Sequence, residues 1–76
     1  MDRDFDELRE NLAAAIRAGR SKVGLSQEAL ALSADVDRTY VSQLERGIAN
    51  PSLLILFRIA EVLNTTVPQL LASKKG

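Results

Sequence analysis

The sequence predicts an all-α fold of five helices. Apolar residues recur at three- and four-residue steps in separate segments, and no segment alternates apolar and polar residues as a half-buried strand does. Capping residues, glycines and prolines lie between these segments, where helices start and stop. A chain of 76 residues with 46% hydrophobic content has material for one core, so we expect residues 1–76 to form one domain.

The first helix is predicted to be long. It starts at Asp4-Phe5-Asp6-Glu7, which has the spacing of a capping box, and it ends at Gly24. Its expected core stripe consists of Phe5, Leu8, Leu12, Ile16, Gly19 and Val23.

The second helix is short. Ser26 is its expected N-cap, because the serine hydroxyl can accept a hydrogen bond from a free amide of the first turn. Its apolar stripe consists of Leu30, Ala31 and Ala34. The small side chain of Ala31 allows the close crossing that two helices joined by a tight turn require.

A tight turn at Asp35-Val36-Asp37 leads into the third helix. Asp35 tolerates a left-handed backbone, Val36 can close the corner and Asp37 can cap the helix that follows. This helix is predicted from about Arg38 to near Gly47, with Val41 and Leu44 buried.

The opposite face of the third helix is polar. Its side chains are short or planar enough to reach base edges in a DNA major groove, which is about 12 Å wide. They are Arg38, Thr39, Ser42 and Gln43. The segment therefore predicts a helix-turn-helix unit at about residues 26–46 that reads double-stranded DNA.

Two further helices are predicted in the last third of the chain. The fourth starts at Asn50-Pro51, with Pro51 in its first turn, and ends at Asn64. Its core stripe consists of Leu53, Leu56, Ile59, Ala60 and Leu63. A short fifth helix follows at residues 67–71 with Pro68 in its first turn, and residues 72–76 are expected to fray.

The fourth helix carries more apolar residues than one core face uses. Leu54, Ile55 and Phe57 fall largely outside its stripe, and an exposed apolar patch usually marks a partner surface. We therefore expect a two-fold homodimer formed through the fourth and fifth helices. The alternative is that the helix boundaries are shifted slightly and these residues complete the core.

Composition argues against several classes of protein. The chain lacks cysteine and histidine, so metal binding, triad catalysis and enzymatic activity in general are not expected, and no cofactor is implied. Its longest apolar stretch, residues 53–57, is too short to span a bilayer, and its acidic start is unlike a signal peptide. We expect a cytoplasmic protein that does not bind membranes.

The charge of the chain is balanced, with 10 basic and 10 acidic residues. Five of the acids lie in the first ten residues, so residues 11–76 carry eight basic and five acidic side chains, a net +3. DNA affinity would therefore rest on a defined interface and on dimerisation more than on bulk attraction. The balance also leaves open a protein-interaction module, such as an antitoxin or an assembly subunit, that keeps the helix-turn-helix for its fold alone.

From Arg17 to about Leu71 the chain resembles the Xre/phage-repressor helix-turn-helix family. The shared pattern includes Ser-Gln-Glu, a leucine-alanine pair, a recognition helix ending Glu-Arg-Gly and a Pro-Ser helix start. Residues 37–42, Asp-Arg-Thr-Tyr-Val-Ser, are most similar to the controller proteins of restriction–modification systems. Asp35 departs from the family, which often has glycine there.

The resemblance implies a five-helix lambda-repressor-like domain and a transcriptional regulator that acts as a dimer on a palindromic operator. Because the chain has no room for a second domain, no small-molecule effector is expected. The resemblance also makes Arg38, Thr39, Ser42 and Gln43 the base-contacting positions, and Gln27 a phosphate clamp at the start of the second helix. The alternative for the four residues of the third helix is that they form an ordinary solvated helix face. The alternative for Gln27 is that it is a solvated residue of the first helical turn.

Further roles follow from the same resemblance. Arg20 and Glu45 match a family pair that forms a structural ion pair between the first and third helices. Arg17 and Lys22 are expected to be solvated flank residues, with phosphate contact as the alternative. Tyr40 would contact a phosphate, pack at a subunit boundary or cover the core. Arg46 would reach the DNA backbone, and Asn50 would either contact a phosphate or only cap the fourth helix.

Overall fold

The computed structural model describes residues 2–72, and within them the all-α prediction is confirmed. Five helices and no strands are present in this range: α1 (Asp2–Val23), α2 (Gln27–Ala34), α3 (Arg38–Glu45), α4 (Leu53–Val62) and α5 (Val67–Leu71). Ala72 lies outside α5, and the rest of the predicted tail, residues 73–76, lies outside the described residues. None of the described helices combines the length and apolar character that crossing a bilayer requires.

One hydrophobic core joins the helices. Ile16 of α1, Leu30 of α2, Val41 of α3 and Ile59 of α4 are completely buried in it. Burying a side chain of this size contributes about 1.5–3 kcal/mol, so these residues fix how the four helices pack. Ala31, predicted at the closest helix crossing, is also buried.

The turn between α2 and α3 forms largely as predicted. Asp35 adopts the left-handed conformation, with φ 59° and ψ 49°, and the Val36 amide donates to the Ala31 carbonyl at 2.9 Å. Asp37 occupies the N-cap position, but the prediction that its side chain caps α3 is wrong. The amide that it would bind, that of Tyr40, donates instead to the Asp37 backbone carbonyl at 3.0 Å.

The predicted start of α1 is wrong. The helix begins at Asp2, so Asp4 lies inside it and no capping box forms. Phe5 and Leu8 remain 43% and 37% exposed instead of joining the core. They line an open groove with Leu12, Leu56 and Leu71, because the first turns of α1 lie at the edge of the packed helices.

The predicted start of α4 is also wrong. Ser52 caps the helix, its hydroxyl accepting from the Ile55 amide at 3.2 Å, so Asn50-Pro51 precede it. Leu53 is 73% exposed, whereas the rest of the predicted stripe, Leu56, Ile59, Ala60 and Leu63, is buried. Leu53 is the first residue of α4, one turn before the buried part of the stripe starts at Leu56, so it lies at the end of the helix beyond the packed core.

The remaining helix ends agree with the sequence. Gly24, Gly47 and Asn64 have positive φ angles of 75°, 73° and 57° just beyond α1, α3 and α4. A left-handed residue at this position satisfies the last carbonyls of a helix, which explains why glycine and asparagine stand there. The Asn64 and Thr65 amides donate back to carbonyls of α4, and α5 starts at its N-cap Thr66.

Candidate nucleic-acid interface

The polar face of α3 stands clear of the protein interior. Val41 and Leu44 on the opposite face are 0% and 1% exposed and anchor the helix to the core. The four predicted base-contacting residues lie on the outer side: Arg38 and Thr39 are exposed, and Ser42 and Gln43 are half-buried. An anchored helix with an accessible polar face has the form required for insertion into a major groove.

Glu45, at the end of α3, forms an ion pair with Arg20 of α1. The Arg20 Nε atom lies 2.6 Å from Glu45 Oε2, and the Arg20 Nη2 atom lies 3.0 Å from Glu45 Oε1. Arg20 also donates to the Leu25 carbonyl at 3.0 Å, just before α2. Glu45 is 5% exposed and is the only buried charged residue in the described part of the chain. The pair therefore ties the recognition helix to α1.

The pKa of the Glu45 carboxyl depends on its burial and on the charged and polar groups around it. Burial by itself would raise the pKa of the Glu45 carboxyl. Hydrogen bonds from Arg20 and Gln27, together with the charges of Arg20 and Arg17, outweigh burial and hold that pKa below its usual value. The hydrogen bond to Glu45 also raises the pKa of Arg20, so both partners stay charged.

Gln27 is not a freely solvated residue. It is half-buried at the first position of α2, and its Nε2 atom donates to Glu45 Oε1 at 3.0 Å. The Ser26 hydroxyl accepts from the Ala29 amide at 3.0 Å, as predicted for the N-cap. The backbone amides of Gln27 and Glu28 precede that of Ala29 in the first turn, and they have no hydrogen-bond acceptor within the helix. Such amides at a helix start suit an anion.

Sequence reasoning missed the surroundings of two arginines near this surface. Arg17 is exposed, as expected of a flank residue, but its guanidinium also donates to the backbone carbonyl of Glu45. Its i, i+3 spacing from Arg20 could have indicated a shared face. Arg58 of α4 is half-buried beside Tyr40, Thr39 and Gln43. The apolar periodicity of α4 gives no sign of that neighbourhood.

Tyr40 packs against the core and is half-buried. Burial raises the pKa of its phenol. The ring borders a shallow surface groove with Val36, Ile55 and Arg58, so it covers the core at the junction of α3 and α4. Covering the core was one of its three predicted roles, and contact with a phosphate stays a prediction.

The other predicted phosphate contacts are exposed. Arg46 follows α3 directly, and its backbone amide donates to the Ser42 and Gln43 carbonyls. Asn50 lies in the loop before α4 and is not the helix cap, since Ser52 has that role. The capping explanation of Asn50 is therefore wrong.

The predicted dimer residues of α4 divide into two groups. Leu54 and Phe57 are 55% and 53% exposed and, with Leu53, form what we call the α4 apolar face. Ile55 is half-buried and packs against the core, so its placement on the outer surface is wrong. It borders the same shallow surface groove as Tyr40.

Comparison with known proteins agrees with this geometry. Residues 16–70 match the helix-turn-helix family HTH_3. The chain is 42% identical over 67 residues to control protein C.SmaI of Serratia marcescens. This alignment covers 88% of the chain and 80% of C.SmaI. The hypothetical transcription factor NHTF from Neisseria has a similar structure, with a TM-score of 0.86 and 38% identity over 93% of this chain and 82% of that one.

A second solved structure is that of the restriction-modification controller protein C.AhdI from Aeromonas hydrophila. It is 35% identical, with a TM-score of 0.77, over 82% of this chain and 94% of that chain. The family match covers most of the described residues and includes all five helices in whole or in part. The chain therefore belongs to the Xre-like HTH_3 family of helix-turn-helix DNA-binding transcription regulators.

Proposed function

We propose that the protein binds double-stranded DNA sequence-specifically, as a homodimer on a palindromic operator, and so controls transcription. The observation that carries this proposal is the polar face of α3, accessible along Arg38, Thr39, Ser42 and Gln43 while Val41 and Leu44 hold the helix in the core. The mechanism is occupation or bending of the operator, without catalysis and without a cofactor.

Base reading is assigned to the α3 face. Arg38 has the planar, two-pronged donor group that suits the O6 and N7 acceptors of guanine. Thr39 offers a methyl group to thymine, and the Gln43 amide pairs with adenine. Ser42 lies between them and can donate to or accept from either kind of base.

Phosphate contacts are assigned to the residues around this face. Gln27 and the first-turn amides of α2 form one clamp, and the exposed Arg46 lies just beyond the end of α3. Asn50 and the Tyr40 hydroxyl are further candidates. These contacts would position α3 without selecting a sequence.

Dimerisation is assigned to the α4 apolar face. Leu53, Leu54 and Phe57 are each more than half exposed, and a cluster of this kind on one helix is a typical partner surface. A two-fold axis there would place two copies of α3 in successive major grooves, about 34–36 Å apart. Similarity to C.SmaI and C.AhdI supports a role as the controller of a restriction–modification system.

One observation supports an alternative. The chain has no net charge, and its first ten residues carry five acids, whereas DNA-binding domains are usually basic. A protein-interaction module, such as an antitoxin or an assembly subunit, would need no basic surface.

Selection of bound sequences from a random duplex pool separates the two. We expect a palindrome, with Arg38→Ala costing about 1–3 kcal/mol of binding free energy and relaxing preference at one base pair per half-site. Arg9→Ala is the matched control, since it removes another arginine, one that pairs with Asp6 in the first part of α1 and has no assigned DNA contact. Failure to enrich any sequence, or equal and trivial losses for both variants on every duplex, would favour the interaction module.

A further inference from the structure

Glu45 connects three elements around the start of α2. Its carboxylate accepts from Arg20 at 2.6 and 3.0 Å and from Gln27 at 3.0 Å, and its backbone carbonyl accepts from Arg17. The carboxylate is almost completely buried, so these bonds form inside the folded protein and not in bulk water. The position of the Gln27 side chain is thus set by a residue of the recognition helix.

The chemistry of Glu45 also sets the orientation of the Gln27 amide. An ionised carboxylate only accepts hydrogen bonds, so Gln27 must turn its nitrogen, and not its oxygen, towards Glu45. One N–H of that nitrogen is used in the bond to Oε1. The second N–H remains as a donor, and a DNA phosphate, which likewise only accepts, is a suitable partner for it.

Charge balance makes this arrangement compatible with DNA. An unpaired carboxylate beside the phosphate clamp would repel the DNA backbone. Arg20 pairs with the carboxylate, and the charge of Arg17 acts on it too, so the glutamate orients Gln27 without leaving a free negative charge. Because the glutamine is already ordered, binding does not have to freeze its rotamers.

We infer that Glu45 is the positioning residue that holds the Gln27 amide nitrogen towards the DNA backbone, through the hydrogen bond between Gln27 and Glu45. This inference rests on the proposed DNA-binding function and deepens it. The hydrogen bond couples the phosphate clamp of α2 to the helix that reads the bases, so a change at buried Glu45 alters affinity through Gln27.

The test is a double-mutant cycle on affinity for operator and for unrelated duplexes. In Glu45→Gln, the remaining oxygen is drawn to Arg20 and the new NH2 group faces Gln27, which reverses the preferred orientation of the Gln27 amide. We expect Glu45→Gln and Gln27→Ala each to weaken binding to every duplex about tenfold, the scale of one charge-assisted hydrogen bond. The double variant should also lose only about tenfold.

A glutamine on a helix that carries none of the residues assigned to DNA contact provides the control. Gln69 also has an ordered amide, since its Oε1 accepts from the Thr65 hydroxyl at 2.7 Å, but it lies on α5. Gln69→Ala should leave affinity unchanged. A roughly hundredfold loss in the Gln27→Ala, Glu45→Gln double variant would show that the two residues act independently and would overturn the inference.

A second measurement does not depend on whether Glu45→Gln folds. Side-chain 15N relaxation of the unaltered protein reports the order of each glutamine amide on the picosecond to nanosecond timescale. We expect the Gln27 amide to be more ordered than that of Gln43, and equal mobility would overturn the inference. Arg38→Ala separates the two failures. If it still relaxes preference at one base pair per half-site, only the role of Glu45 has failed, whereas absence of any sequence-specific binding by the wild type means that the proposed function has failed too.

Discussion

Replacement of Arg20 by alanine removes the charged partner of a buried carboxylate. The guanidinium makes two hydrogen bonds to Glu45 and one to the Leu25 carbonyl, and only Gln27 would remain as a side-chain donor to Glu45. Stranding one partner of a buried ion pair costs about 3–5 kcal/mol. A chain of 76 residues has a total stability of about 4–11 kcal/mol, so the variant would lose a large share of it.

The loss should depend on pH. The folded protein holds the pKa of Glu45 below its unfolded value, so its contribution to stability is present above the unfolded pKa and disappears as pH falls through the folded pKa. Without Arg20, burial dominates and raises the pKa of Glu45, which then takes up a proton at milder acidity. The gap in free energy of unfolding between wild type and Arg20→Ala should therefore narrow as pH falls.

Urea unfolding followed by circular dichroism at a series of pH values measures this gap. Arg9→Ala is the control, because Arg9 pairs with Asp6 on the exposed part of the same helix, where a pair contributes about 0–1 kcal/mol. Replacing Arg20 and Glu45 together by methionine should recover most of the loss, since an apolar pair leaves no buried charge. A loss below about 1 kcal/mol for Arg20→Ala, or a loss independent of pH, would refute the reasoning.

Three further predictions concern dimerisation, capping and the core. Phe57→Glu places a charge on the α4 apolar face and should convert the dimer to a monomer, which light scattering measures. A wild-type protein that is itself monomeric across the micromolar range would refute the interface. Ser26→Ala should cost about 1 kcal/mol in thermal or urea unfolding because the Ala29 amide loses its cap, whereas the exposed Ser33→Ala, with no capping role, should cost none. Ile59→Ala empties a completely buried site and should cost about 2–5 kcal/mol, and a smaller loss would mean that the core collapses into the space.

Local features of the sequence were sufficient for much of the fold. The left-handed Asp35, the cap at Ser26 and the glycines after α1 and α3 depend on backbone preferences within one helical turn, and they form as predicted. The outward face of α3 follows from its periodicity, because burying Val41 and Leu44 leaves Arg38 and Thr39 on the other side. The same local reasoning failed at Asp37, where backbone and side chain compete for one amide.

The sequence by itself determined the number and order of the described helices and which face of α3 is polar, because each depends on residues three or four positions apart. Only the tertiary structure decided that Phe5 and Leu53 are exposed, that Ile55 packs against the core, and that Gln27 and Glu45 are joined by a hydrogen bond. Apolar periodicity marks a helix face, but burial requires another helix opposite it. Hydrogen bonds between residues 18 positions apart likewise form only after α1, α2 and α3 have packed together.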